Sequence, residues 1–284
     1  MDSQENAKVD DAFAESMGFV TTYLRAVESA REDRIVHDAF AEPLCQKFTN
    51  QIQKSMGGLK SKGQLHSRPE DFIVFRTRYL DEALKHRNTQ IQQIVILGAG
   101  LDARAYRLES LRGSHVFEVD QAADLFDHKT KVMKALNATL IARKLDYIVS
   151  NLAQNKLDNC LLVKKGFNPV NPTFWAMEGL FPYIDRSKMV ELLKVVDRLS
   201  APGSELWMDI PGKMVADGEE WGKRAMKYGE DDPMHGVLSD ISWELEEQAS
   251  LGVAGEHFGR PWMPMLSPKM KQEVPFFCII AKKP

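Results

Sequence analysis

Ile91–Leu108, IQQIVILGAGLDARAYRL, is the stretch whose reading decides the fold. Ile94–Leu97 is a short continuous apolar run, as in a strand buried on both faces of a parallel sheet. It ends in Gly98-Ala99-Gly100, and an Ala/Arg/Leu-rich segment of helical composition begins near Asp102. A strand, a tight glycine turn and a helix N-terminus together make a nucleotide-type pocket. The glycines let the backbone approach a ligand, and the unpaired N–H groups of the first helical turn face it. Ala103 completes G-x-G-x-x-A, the dinucleotide pattern. By spacing alone the same letters also describe a plain β–α turn.

The next residues narrow the choice. Ser114–Asp120, SHVFEVD, reads as a second strand closing on acidic residues. Asp120 lies about 20 residues beyond Gly100, where a Rossmann-like unit places the carboxylate that accepts hydrogen bonds from ribose hydroxyls. Two consecutive βα units, one with a glycine turn and one ending in an acid, point to an adenosine-containing cofactor.

Upstream, Phe13, Met17, Val20, Leu24 and Val27 recur at helical spacing and form one face, placed to pack across the sheet or cover a ligand. Asp38–Phe48 reads as a short helical segment broken near Pro43. Gln51–Gly63, rich in Lys, Ser and Gly, is either a solvated loop or a lid over the site. Ser67-Arg68-Pro69-Glu70 has the form of a capping box opening a helix with Phe72, Phe75, Tyr79 and Ala83 on one face. Arg76 and Arg78 sit mid-helix, where a helical arginine snorkels to solvent or, as a pair, clamps a carboxylate.

Downstream, Gln121–Ala142 is helical in composition and Leu145–Leu152 is a third strand ending at Ser150-Asn151. A helix over Lys156–Gly166 precedes a fourth strand, Thr173–Met177. Glu178 follows at its carboxyl end, the end at which open α/β sheets bind ligands. Arg186–Leu199 is a helix stopped by Pro202-Gly203, and Ser204–Ile210 is strand five. The alternation predicts an α/β, doubly wound Rossmann-like sheet. Pro211–Gly236 breaks the rhythm and reads as a helical cap or a surface insertion. Ser239–Leu251 is predicted as an amphipathic helix, and the apolar Pro275–Ala281 as a last strand with no helix after it. The expected organisation is one globular unit: an N-terminal helical cover over residues 1–90, then a core over 91–284 carrying the cap near 211–236.

Composition excludes several classes. Of 284 residues, 44% are hydrophobic and 27% charged, ordinary for a globular chain. The net charge of −3, from 37 Lys+Arg against 40 Asp+Glu, argues against a dedicated nucleic-acid binder. No apolar run approaches the ~18–20 residues that span a bilayer, so no membrane partner is expected. The polar opening MDSQENAKVDD reads as a loose tail without the n- and h-regions of a signal peptide. Cys45, Cys160 and Cys278 are scattered and read as reduced, which places the chain in a cytoplasmic compartment. With no C-x-x-C, no H-E-x-x-H and dispersed histidines, no metal site is expected.

The words RTRYLDEAL, VILGAGLDARAYRL, FEVD, PTFWAMEGLFPYI and LSAPGSELWMD, with the early RAVESAREDRIVHDAFAEPL, together resemble the leucine carboxyl methyltransferase family. The resemblance runs in order from about Leu24 to Asp209. It implies a class I methyltransferase fold, whose last strand is inserted antiparallel, and S-adenosyl-L-methionine as cofactor. It matches Arg76 to the arginine that holds the cofactor carboxylate, and Gly98, Ala99 and Gly100 to the glycine turn beneath methionine and ribose. Asp120 matches the acid on the ribose hydroxyls, and Glu178 the glutamate of the E-G-L segment near the sulfonium. Where the family often has an aspartate-leucine pair near the adenine, this chain has Asn151-Leu152, and an amide can still donate or accept there.

The acceptor implied is a carboxylate, on a small molecule or a peptide. A carboxylate is already ionised at neutral pH and needs no general base, so no indispensable catalytic base is predicted. Arg25, Lys60 or Arg68 are candidates to orient it; for a hydroxyl acceptor the candidate bases are Tyr183, His235 and His257. Two other classes stay open at this point. An NAD(P)-linked oxidoreductase shares the glycine turn and acid, although no Y-x-x-x-K follows strand five, and a non-catalytic cofactor-binding protein shares the whole fold.

Overall fold

Gln93–Leu97 forms strand β1 and is buried along its whole length, as its unbroken apolar run requires. In this computed structural model the chain is described at residues 2–50, 52–53, 69–154, 156–163, 166–217, 225–267 and 270–284. Helices α1 (Asp2–Ser29), α2 (Ala41–Cys45) and α3 (Pro69–His86) precede β1. After it come α4 (Arg104–Arg107), β2 (His115–Asp120), α5 (Ala123–Ala135), β3 (Lys144–Val149), α6 (Leu157–Val163), β4 (Thr173–Met177) and α7 (Arg186–Arg198). The chain ends with β5 (Glu205–Pro211), α8 (Met214–Asp217), β6 (Glu244–Ser250), a small hairpin of β7 (Gly255–His257) and β8 (Arg260–Trp262), and β9 (Phe276–Lys282).

The seven-stranded sheet has the order β3-β2-β1-β4-β5-β9-β6. β1 runs parallel to β2 and β4, with Ile94 opposite Val116 and Phe174. The period of two in a strand sends alternate residues to opposite faces. Val95 and Leu97 pack with Leu157 and Leu161 of α6 and Leu192 and Val196 of α7. Ile94 and Ile96 pack with Leu80 and Leu84 of α3 and Phe126 of α5. A third apolar cluster joins Phe19 and Leu24 of α1 to Phe72 and Phe75 of α3, Leu101 and Trp262. Among the described residues no helix is long and apolar enough to cross a membrane.

β9 lies antiparallel between β5 and β6, pairing Met208 with Ile279 and Glu247 with Ile279. The last strand is thus inserted antiparallel as the family resemblance implies, but β6 overturns the helix predicted over Ser239–Leu251. Its ELEEQAS has the Glu, Gln and Ala of a helix former. Pairing with β9 overrides that preference, and the exposed Glu244 and Glu246 keep the outer edge charged, as edge strands require. Glu246 accepts a 2.9 Å bond from Lys282 across the pair.

Three boundaries also differ from expectation. The polar opening is the first part of α1 and not a loose tail. Pro43 falls in the first turn of α2, where its missing N–H costs nothing, so it opens the helix and does not break it. The segment after Gly100 forms only four helical residues. Asp102 Oδ1 accepts the Arg104 N–H at 2.6 Å, and Leu108 turns extended (φ −93°, ψ 113°), so no long helix follows the glycines. The capping serine Ser67 and most of Gln51–Gly63 lie outside the described residues.

Ile279 is fully buried between β5 and β6. Replacing Ile279 with Ala is expected to lower the unfolding free energy by about 2–5 kcal/mol, read by urea titration. A loss under about 0.5 kcal/mol would place that side chain outside the core.

Candidate active site

The carboxyl ends of β1 to β5 open into a cavity of about 1000 Å³, with α1 as one wall. At the end of β1, Gly98 (φ +71°) and Gly100 (φ +48°) adopt left-handed backbone that side-chain-bearing residues rarely take. A Cβ at Gly98 would meet Leu180 at 3.1 Å, whereas one at Gly100 would meet nothing within 4 Å. The glycine turn is tied to β2: Gly98 and Ala99 N–H donate to Val119 O at 2.9 and 3.1 Å. Gly100 N–H donates to Asp120 Oδ2 at 2.8 Å, and Ala122 N–H to Asp120 Oδ1 at 2.9 Å. Asp120 thus arrives at the rim with its carboxylate already oriented by the backbone.

All eight residues singled out from the sequence line this cavity: Arg76, Gly98, Ala99, Gly100, Asp120, Asn151, Leu152 and Glu178. Asn151 Oδ1 accepts the Ala153 N–H at 2.9 Å, which steers its amide at the tip of β3. The arginine pair divides. Arg76 is buried at the cavity, while Arg78 turns away, donating to Ile35 O at 2.9 Å and pairing with Glu82 at 2.5 Å. Arg78 therefore does not join Arg76 at the cavity, and the two-arginine clamp does not form. Helical spacing separates residues i and i+2 by about 200°, so the two cannot face the same way.

Arg76 enters an ion network. Its Nε donates to Glu178 Oε1 at 3.3 Å and its Nη1 to Asp209 Oδ2 at 3.5 Å. Glu178 also accepts from Thr77 Oγ1 at 3.1 Å and from Arg104 Nη1 at 2.7 Å. Arg104 pairs in addition with Asp102 and, at 2.7 Å, with Asp81, which accepts both Nη atoms of Arg107 at 2.7 and 2.9 Å. Burial disfavours an ionised Glu178, but the guanidiniums of Arg104 and then Arg76 outweigh it and hold the carboxyl well below the usual carboxylate range. Asp209 goes the other way. Burial pushes its carboxyl up, opposed by Arg76 and by the Gly179 N–H that it accepts at 2.6 Å.

Asp209 and Arg104 are the site residues that sequence reasoning missed. Asp209 lies near the carboxyl end of strand five as Glu178 follows strand four, and that positional logic could have found it. The sequence carries no comparable signal for Arg104. Among the residues considered for the acceptor, Arg25 lines the cavity with its guanidinium engaged by Asp38 at 3.1 Å and Leu101 O at 3.2 Å. Lys60 and Arg68 lie outside the described residues. Tyr183 lines the cavity, and burial pushes its hydroxyl up to about 12. His235 pairs with exposed Asp232 at 2.9 Å and His257 with Tyr79 Oη at 2.6 Å, both away from the cavity lining.

The strand order, with an antiparallel strand set between the fifth and the outermost, defines a class I methyltransferase fold, and this cavity sits at the carboxyl ends of its parallel strands. The likeness extends to solved structures: a provisionally assigned methyltransferase from Thermobifida fusca superposes with TM-score 0.57 at 14% identity, covering 94% of each chain. Residues 18–197 match the leucine carboxyl methyltransferase family model, and the chain belongs to that family. A relative from Saccharopolyspora erythraea, provisionally named an S-adenosyl-L-methionine-dependent methyltransferase, is 33% identical over 254 residues, 84% of this chain and 85% of its own. A Streptomyces avermitilis protein named in the same way is 30% identical over 295 residues, 96% of each.

A depressed carboxyl pKa contributes stability above the ordinary value of 4.5 and loses it as acid protonates the folded state. Glu178→Gln is therefore expected to destabilise the fold at neutral pH by on the order of 3 kcal/mol, as for a broken buried pair. The gap from wild type should shrink below about pH 4.5. Denaturant melts across pH check this; a gap independent of pH would remove the ionised pair as its cause.

Proposed function

We propose that this protein is an S-adenosyl-L-methionine-dependent O-methyltransferase whose acceptor is a carboxylate. One observation carries the reading: a single cavity holds an acid at the tip of β2 and a buried guanidinium from α3, on either side of a glycine turn. The residues present fit the cofactor. Asp120 would take the ribose hydroxyls, Asn151 and Leu152 the adenine, and Arg76 the methionine carboxylate. The open space in front of Gly100 leaves room for the backbone to lie against the ligand. The inserted antiparallel strand disfavours the NAD(P) alternative, whose two parallel halves follow the order 3-2-1-4-5-6.

When bound, the cofactor supplies a methyl group on a positively charged sulfur, open to in-line displacement. The chain's part is to align two reactants and exclude water. Glu178, which the family resemblance puts near this end, has its charge matched by Arg104 and Arg76. An unmatched anion there would stabilise the sulfonium before reaction and slow the transfer. The acceptor side of the cavity is carbon-rich, lined by Met17, Phe72, Val215, Met226, Met265 and Phe276, which suits an acceptor with an apolar body. No histidine occurs among the described lining residues, and the Tyr183 hydroxyl stays protonated near neutral pH. An acceptor ionised in advance needs no base and fits this setting.

Calorimetry should show saturable binding of S-adenosylmethionine and S-adenosylhomocysteine and none of NAD(P)H; the reverse would end the proposal. Among carboxylic acids and alcohols, methyl transfer is expected for acids alone. Product binding without transfer to any acid would favour a non-catalytic role. Asp120→Ala and Arg76→Ala should each weaken cofactor binding by roughly 1–3 kcal/mol, the loss expected for a hydrogen bond to a charged group. Unchanged binding in Asp120→Ala would take that residue out of the site. A change confined to acceptor KM in Arg76→Ala would refute the clamp.

A further inference from the structure

Beneath the glycine turn lies a second charged pair that the proposed chemistry does not use. Lys129 of α5 and Glu118 of β2 are both fully buried and paired with each other. Lys129 Nζ also donates to Asp102 O at 2.7 Å, and it lies 5.0 Å from the centre of the Tyr147 ring. Glu118 Oε1 has no hydrogen-bond partner among the described residues.

Such a pair is expensive. Two apolar groups of similar volume would serve a core at least as well, because desolvation offsets most of the Coulomb attraction. Its geometry supplies what apolar groups cannot, a cation at a main-chain carbonyl. α4 is only four residues long, so the carbonyl of Asp102 is met by the Lys129 ammonium. Glu118 precedes Asp120 by two residues in β2 and shares its face of the strand. Besides the Gly98 and Ala99 N–H bonds to Val119 O, side chains consequently fasten the loop 98–102 to β2 at two further points. Gly100 N–H is held by Asp120 at its start, and Asp102 O is held through Lys129 and Glu118 at its end.

We propose that Lys129 is a positioning residue for the methyl donor, acting through Asp102 O and Glu118 to hold the glycine loop at the spacing the donor requires. This rests on the cavity being the donor site. Burial pushes the Glu118 carboxyl up to about 7 even against Lys129, so Glu118 leans on this lysine to carry its charge. Asp102 and Asp120 add to that upward push.

The test is the double variant Glu118→Leu/Lys129→Met, in which apolar groups replace both charges and the core keeps its packing. The variant is expected to unfold cooperatively, to bind S-adenosylhomocysteine on the order of tenfold more weakly by calorimetry, and to keep its acceptor KM and its kcat at saturating donor. Wild-type affinity in the double variant would overturn the proposal, because the pair would then only neutralise itself. Loss of cooperative unfolding would overturn it too, making the pair a requirement of the fold and not of the loop. Failure of the wild-type protein to bind donor or product would instead strike at the cavity assignment, so the two failures are distinguishable.

Discussion

The buried guanidinium–carboxylate network around Glu178 is the constraint on which the site depends. Arg76, Arg104 and Arg107 are held by Asp81, Asp102, Glu178 and Asp209, all within or just under the cavity floor. Each charge would be costly alone in that environment, so each fixes the position of the next. The network joins α3, the glycine loop and the ends of β4 and β5, and Arg25 links it to α1 through Asp38. The apolar layers of the sheet hold these elements together. The network sets where their tips stand.

That division of labour explains what could be read in advance. Strands β1, β2, β4 and β5 are announced by their own composition, since a strand buried on both faces reads as a near-continuous apolar run, interrupted here by Glu118 in β2 and Asp209 in β5. β4 has the boundaries, Thr173–Met177, that its apolar run predicts. The glycine turn, Asp120 and Glu178 follow from the rule that ligands gather at strand carboxyl ends. β6 was illegible because its residues are helix formers. Only the ladder offered by β9, whose residues pair with Glu244 through Ser250 from Lys282 back to Phe277, makes it a strand. The short α4 was illegible for a similar reason: Arg104 answers to Glu178 and Asp81, distant in sequence, before it answers to helix propensity.

Electrostatics also divides the cavity. The side beneath the strand tips carries the fixed charges and backbone donors suited to a polar, zwitterionic ligand, and the side under α1, α3 and β9 is carbon-rich. Phe72 and Phe276 meet there with ring centres 4.3 Å apart. Arg76 stands at the border, 5.6 Å from the Phe72 ring and paired with both acids. A ligand carboxylate reaching Arg76 meets a guanidinium already desolvated and held in place, which lowers the cost of ordering it on binding.

The most direct measurement is a crystal structure of the protein with S-adenosylhomocysteine. The account predicts the ribose hydroxyls on Asp120, the adenine beside Asn151 and Leu152, and the amino-acid carboxylate on Arg76, with the sulfur facing the apolar half. Product bound elsewhere, or lying in this cavity with Asp120 and Arg76 both untouched, would contradict it.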